Sequence, residues 1–203
     1  MKRDANWLSR QQQDQFVKKA RKFNYRSRAV FKLQEIDEKY HLIKPGQIIF
    51  DLGAAPGSWS QYVSQKVGSN GQVIAVDILD MQPIKSVQFI QGDISEKSVY
   101  ERCLSQVDNH QADLVISDMA PNLTGIRDVD QARSMSLSER VLDFSRHVLR
   151  SQGGIVIKLF QGKDTDKFKT ELSEKFQRVT VCKPDASRDS SREFYILARG
   201  YKV

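Results

Sequence analysis

At 203 residues and 39% hydrophobic content, the chain has the size of one globular domain with a sizeable core and leaves no room for a second. No run approaches the roughly 20 apolar residues of a membrane span, and the polar residues 1–10 hold no apolar signal core, so a cytoplasmic protein is expected. Cys103 and Cys182 lack a Cys-x-x-Cys or histidine neighbour and His41, His110 and His147 are scattered, which argues against a disulfide framework or a metal centre, while the net charge of +7 argues for a polyanionic partner.

Residues 1–32 hold the excess: ten Lys or Arg against Asp4 and Asp14 give +8, which leaves the rest of the chain at −1. Trp7, Phe16, Phe23 and Tyr25 interleave with these bases, the composition of a polyanion-binding face with stacking groups. Lys18, Lys19, Arg21, Lys22, Arg26 and Arg28 are its candidate contacts to a polyanion, which the family resemblance given below implies is RNA. An ordinary solvated helix would share this charge, whereas a membrane-surface helix would carry more apolar residues. Residues 26–40 then read as a helix whose Ala29, Leu33, Ile36 and Tyr40 form one apolar stripe, with Lys32 beside it. Lys44-Pro45-Gly46 ends this segment.

Residues 48–60 organise the rest of the chain. The run from Ile48 to Phe50 reaches Asp51, breaks into Gly53, Ala54, Ala55 and Gly57, and resumes as an amphipathic segment over 58–67. A strand, a tight turn and a helix are expected, and the small residues let a ligand lie against bare backbone at the opening of that helix. Gly57-Ser58-Trp59 lacks the lysine of a triphosphate loop, and the spacing of Gly53 and Gly57 departs from the dinucleotide fingerprint. A purely structural turn is the plain alternative. Asp51 favours a cationic ligand over a phosphate, such as the amino or sulfonium group of S-adenosylmethionine.

Strands are expected at 48–51, 73–77, 87–90, 112–118, 155–160, 178–182 and 193–198, with further helices at about 130–150 and 164–176. The alternation predicts a mostly parallel seven-stranded α/β sheet with helices on both faces. The last two strands lack a helix between them, so one should run antiparallel. Ligands in such sheets bind beyond the carboxyl ends of the strands. Asp51, Asp77, Asp93 and Asp118 all fall at or just past those ends. Asp77 lies 20 residues after Gly57, about where an acid meets ribose hydroxyls; Asp93 is a candidate acceptor for an adenine amine, and Trp59 for packing on the ligand. Each acid alone could equally cap a helix.

A second constellation interrupts the apolar pattern. Lys158 sits inside an apolar strand, Glu193 begins another and Asp118 ends a third. A buried lysine needs carboxylate partners, and these two are available on the same sheet. Such a group is either a structural ion pair or a device that positions and deprotonates a hydroxyl.

Arg26-Ser27-Arg28-Ala29-Val30-Phe31-Lys32-Leu33, Asp51 to Gln61, Ser117-Asp118-Met119-Ala120-Pro121-Asn122, Lys158-Leu159-Phe160-Gln161-Gly162 and Lys183 to Glu193 together resemble the FtsJ/RrmJ family of ribose 2′-O-methyltransferases over nearly the whole chain. The resemblance implies a Rossmann-like class I S-adenosylmethionine-dependent methyltransferase, monomeric and metal-free, that acts on a uridine ribose in the 23S rRNA of the large ribosomal subunit. It implies a catalytic tetrad at Lys32, Asp118, Lys158 and Glu193, and cofactor contacts at Gly57, Trp59, Asp77, Asp93 and Asp118. The turn departs from the family's frequent Pro-Gly-Gly-Trp by having Ser58. Lys158 as a base must be neutral; burial and Lys32 favour that form, while Asp118 and Glu193 oppose it. A tRNA or cap 2′-O-methyltransferase would share these motifs. A non-catalytic ribosome-assembly protein would need only the basic segment, and a protein or small-molecule methyltransferase would leave that segment idle.

Overall fold

A computed structural model describes residues 14–107, 111–188 and 191–202. Lys2, Arg3, Arg10, Trp7 and His110 therefore lie outside the described residues. The apolar runs become seven strands: β1 (Ile48–Leu52), β2 (Gln72–Asp77), β3 (Val87–Gln91), β4 (Ala112–Ser117), β5 (Leu149–Phe160), β6 (Phe176–Cys182) and β7 (Glu193–Tyr201). They form one sheet in the order β3-β2-β1-β4-β5-β7-β6. All neighbours are parallel except β7, which runs antiparallel to both β5 and β6, as the missing helix between the last two strands requires.

The described helices are α1 (Gln15–Lys22), α2 (Val30–Tyr40), α3 (Ser58–Val67), α4 (Lys97–Leu104), α5 (Arg127–Val148) and α6 (Thr165–Lys175). Two-residue alternation sends Ile49, Val73, Ile116, Val156 and Leu197 to one face of the sheet, where α2 and α3 cover them with Leu33, Ile36, Trp59 and Val63. Phe50, Ile74, Val115, Ile155 and Ile196 point the other way and meet Val99, Leu142, Phe144 and Leu172 from α4, α5 and α6. Each large side chain so buried contributes about 1.5–3 kcal/mol. None of these helices is long and apolar enough to cross a membrane.

The structure departs from the expected elements most clearly in three places. The helix expected over 26–40 begins only at Val30, because residues 24–29 turn their hydrogen-bonding groups toward α3. α4 has no counterpart among the expected helices: it is short, and only Val99 and Cys103 are buried along it, too few to set a 3.6-residue period. β5 starts at Leu149, before the Gly153-Gly154 pair, with Gln152 in the left-handed region where its pairing to β4 shifts register.

The order of the strands fixes where a ligand can enter. From β1 the chain moves outward to β2 and β3, then returns to place β4 on the other side of β1. The helices that follow β1 and β4 thus cover opposite faces and leave a crevice above the two strand ends.

Candidate active site

At that crevice lies a cleft of about 310 Å³, near the small end of the range for small-molecule sites. Its lining includes Gly53 after β1, Asp77 at the end of β2, Asp93 after β3 and Asp118 after β4, so three of the four strand-end acids meet in one place. Ile78, Leu79 and Met119 add apolar walls, and Arg140 on α5 closes one side. The Gly53 position tolerates no larger residue: its φ is +77°, and a methyl group there would run into the Met119 side chain. Asp77 accepts from the Ala55 and Leu79 amides at 2.8 Å each and so ties the glycine turn to the cleft's apolar wall. Asp93 accepts from the Ser95 amide, also at 2.8 Å, and lies 3.8 Å from Arg140; these hold its carboxyl below the usual range. Arg140 escapes a reading of the sequence, because a surface arginine on a long polar helix carries no local signal.

Asp51, Gly57 and Trp59 do not line the cleft. Asp51 alternates with Phe50 and so turns beneath α3, where it is 1% exposed and accepts from Ser60 Oγ at 2.6 Å. Burial above all, with Asp118 and Asp77 nearby, pushes its carboxyl up to about 7. Gly57 has φ of +101° at the N-terminal end of α3, and a methyl group there would come within 2.7 Å of Ile84 and Met81. Trp59, the candidate for packing on the ligand, is buried. Its indole points from the first turn of α3 toward α2, donates to the Ala29 carbonyl at 2.8 Å and packs 5.9 Å from the Tyr195 ring.

Beside the cleft, a chain of alternating charges crosses three strands and a helix. Lys158 Nζ lies 2.9 Å from Asp118 Oδ1 and also donates to the Asp118 carbonyl. Lys32 Nζ lies 2.6 Å from Glu193 Oε1 and 3.9 Å from the same Asp118 oxygen. All four candidates of the expected tetrad therefore meet, with Asp118 between the two lysines. Strand parity explains the convergence. Asp118 shares a face with Ile116, Lys158 with Val156, and Glu193 with Leu197, and this is the face that α2 covers with Lys32. In β5–β7 pairing Lys158 stands opposite Tyr195, and Phe160 opposite Glu193.

Tyr195 belongs to the same group. It is fully buried, its hydroxyl donates to Asp118 Oδ1 at 2.6 Å, and Lys32 Nζ sits 5.7 Å over its ring. Burial and the Asp118 charge raise its phenol well above the ordinary value, so it stays a donor. Its place two residues after Glu193, on the same strand face, is a signal available in the sequence.

On the far side of this chain from the cleft, Arg28, Lys32, Arg188, Ser191 and Glu193 surround a second hollow of about 340 Å³. The tetrad thus stands between an acid-rimmed cleft, to which Asp118 contributes, and a largely basic hollow, to which Lys32 and Glu193 contribute. Arg28 is pinned there by Asp14 and the Ala186 carbonyl. Arg26 donates to the carbonyls of Pro56, Gln82 and Pro83. Lys18, Lys19, Arg21 and Lys22 lie on exposed positions of α1 and make no ion pair among the described residues.

The FtsJ-like methyltransferase family model matches residues 25–201. The chain is 50% identical over 201 residues to the ribosomal RNA large subunit methyltransferase E of Pseudomonas fluorescens, covering 99% of this chain and 96% of that one. It is 48% identical to the protein of the same name from Pseudomonas aeruginosa, covering 99% and 97%. Among solved structures, one described as a putative ribosomal RNA methyltransferase from Plasmodium falciparum superposes with a TM-score of 0.79 at 30% identity, covering 87% of this chain and 98% of that one. With its motifs, its sheet order and the match over residues 25–201 in agreement, the chain belongs to the FtsJ-like methyltransferase family.

Proposed function

We propose that the protein methylates the 2′-oxygen of a uridine ribose in the 23S rRNA of the large ribosomal subunit, with S-adenosylmethionine held in the acid-rimmed cleft. The single observation that carries this reading is the alternating chain Lys158–Asp118–Lys32–Glu193 between that cleft and the basic hollow. The names of the Pseudomonas relatives support ribosomal RNA as the substrate.

The cleft suits the cofactor. A bare-backbone floor at Gly53 admits a flat or extended group, Ile78, Leu79 and Met119 suit an apolar ring, and three carboxylates favour a cation while repelling a phosphate. Asp77 would hold the ribose hydroxyls, Asp93 the adenine amine and Asp118 the cationic end, with Asp51 and Gly57 shaping the turn behind them. Bound there, S-adenosylmethionine supplies a methyl group on a sulfonium centre, open to in-line attack by an oxygen.

The chain's own residues then supply position and charge. Arg28 and Arg188 line the hollow where an anionic backbone would rest, and α1 extends the basic surface. Lys158, fixed by Asp118 and by the Tyr195 hydroxyl on the same carboxylate, holds the acceptor 2′-hydroxyl. In its neutral form it takes the hydroxyl proton; in its charged form it orients the hydroxyl and stabilises the developing oxyanion. Lys32 and Glu193 keep that arrangement in register. Residues 1–32 act as the RNA-binding segment of a single methyltransferase domain.

Identification of the product tests this directly. Large subunits that lack their modifications, incubated with enzyme and labelled S-adenosylmethionine and digested to nucleosides, should yield label in 2′-O-methyluridine by mass spectrometry. Label on a base would contradict the reading. Label on transfer RNA or capped RNA alone would reassign the substrate.

A further inference from the structure

The segment between α1 and α2 is stitched to the helix that opens from the glycine turn. Gln61 Nε2 donates to the Asn24 carbonyl at 2.8 Å, and the Arg26 amide donates to Gln61 Oε1 at 3.2 Å. The Ser27 and Ser58 hydroxyls pair at 2.8 Å, and Trp59 reaches the Ala29 carbonyl. Arg26 extends this seam past the helix. One terminal nitrogen of its guanidinium donates to the Pro56 carbonyl at 3.0 Å and the Gln82 carbonyl at 2.6 Å, and the other to the Pro83 carbonyl at 2.8 Å.

Those carbonyls belong to two segments that are far apart in sequence and that together shape the cleft. Pro56 lies in the turn that carries Gly53, and Gln82 and Pro83 lie in the β2–β3 connection that carries Ile78 and Leu79. The small apolar cluster beneath them contains only Ala54, Ala75 and Met81, with Ile84, Val87 and Phe89 partly buried against it. Ile78 and Leu79 are themselves 64% and 63% exposed, so little packing fixes that wall. A planar fork that satisfies three carbonyls at fixed angles is therefore a principal polar tie between turn and wall, alongside Asp77. A lysine carries a point charge and cannot reproduce that geometry.

We infer that Arg26 is a positioning residue for the cofactor cleft, clamping the glycine turn to the β2–β3 connection, and that its contribution to the reaction is made through cofactor affinity and not through phosphate binding. This rests on the reading of the cleft as the S-adenosylmethionine site. It also couples the two ends of the reaction, because the same short segment joins basic α1 to the helix that bears Lys32.

Calorimetric titration with S-adenosylmethionine and filter binding of a large-subunit RNA fragment would be run on wild type, Arg26→Ala, Arg26→Lys and, as a control, Lys97→Ala on exposed α4. Arg26→Ala should weaken cofactor binding about tenfold or more while RNA affinity stays within about threefold, and Arg26→Lys should fall between it and wild type. The KM for cofactor should rise in the same order, with kcat at saturating cofactor changed less. Unchanged cofactor affinity with weakened RNA binding would overturn the proposal and make Arg26 a phosphate contact. Equal loss of both ligands in the Ala and Lys variants, with a lowered melting temperature, would overturn it as a fold lesion. Failure of the wild type itself to bind S-adenosylmethionine would remove the reading of the cleft, and this inference with it.

Discussion

Strand alternation turns Asp51 under α3, one layer below the cleft, where Ser60 is its hydrogen-bond donor and almost no solvent reaches it. In an unfolded chain an aspartate ionises near the ordinary value of about 3.9; here burial holds the carboxyl to about 7. The folded protein therefore keeps a proton that the unfolded chain has released, and this group's contribution to stability is fully present below the unfolded value and lost as pH rises through about 7. Asp51→Asn keeps an acceptor for Ser60 but carries no charge. Its advantage over wild type in urea denaturation should be larger at pH 8.5 than at pH 5.5, and an advantage that is the same at both would mean that Asp51 ionises as freely folded as unfolded. Trp59 and Tyr195 illustrate the limits of the sequence at this scale. Their positions in the chain are legible, but which face of the sheet a helix covers and which strand pairs with which decide what their side chains touch.

At the scale of elements, all seven strands are legible because both faces of a buried sheet are apolar, and the ends marked by acids fall within a residue of the expected ones, whereas β5 begins six residues early and β7 runs on to Tyr201. Helices are legible where they bury a long stripe and escape notice at α4, where two buried residues suffice. α1 shows how a basic helix can dock and still offer its charge. Asp14 caps it by accepting from the Phe16 amide at 2.9 Å, Ala20 is buried beneath it, and Lys19 lies 4.6 Å over the Phe31 ring. Lys18, Lys19, Arg21 and Lys22 stay exposed beside Phe23, itself 55% exposed. Each phosphate contact releases counterions, so RNA affinity should fall with salt. Neutralising these four residues should weaken RNA binding at low salt and flatten the log–log salt slope by about 3, at roughly 0.7 for each single-strand phosphate left without its cation, while cofactor affinity holds. A slope unchanged by the substitutions would place the RNA elsewhere.

For the molecule as a whole, the site depends on what no single segment contains. Lys32, Asp118, Lys158 and Glu193 come from one helix and three strands, and they meet only because β4, β5 and β7 are neighbours and present one parity to α2. The residue types are legible one by one, as charges out of place in apolar runs. Their mutual distances are not, since strand order and register are properties of the closed sheet, and Arg140 comes to notice only with it. The acid-rimmed cleft, the basic hollow and the charge chain between them form one device, suited to a cation on one side and a polyanion on the other. The most direct measurement compares wild type with Lys158→Ala for transfer of labelled methyl from S-adenosylmethionine to large ribosomal subunits lacking their modifications, with cofactor affinity measured on the same preparations. Transfer should fall by at least about a hundredfold in the variant while cofactor affinity stays within a few-fold of wild type; transfer at the wild-type rate, or loss of cofactor binding in step with activity, would contradict a role for Lys158 at the reacting hydroxyl.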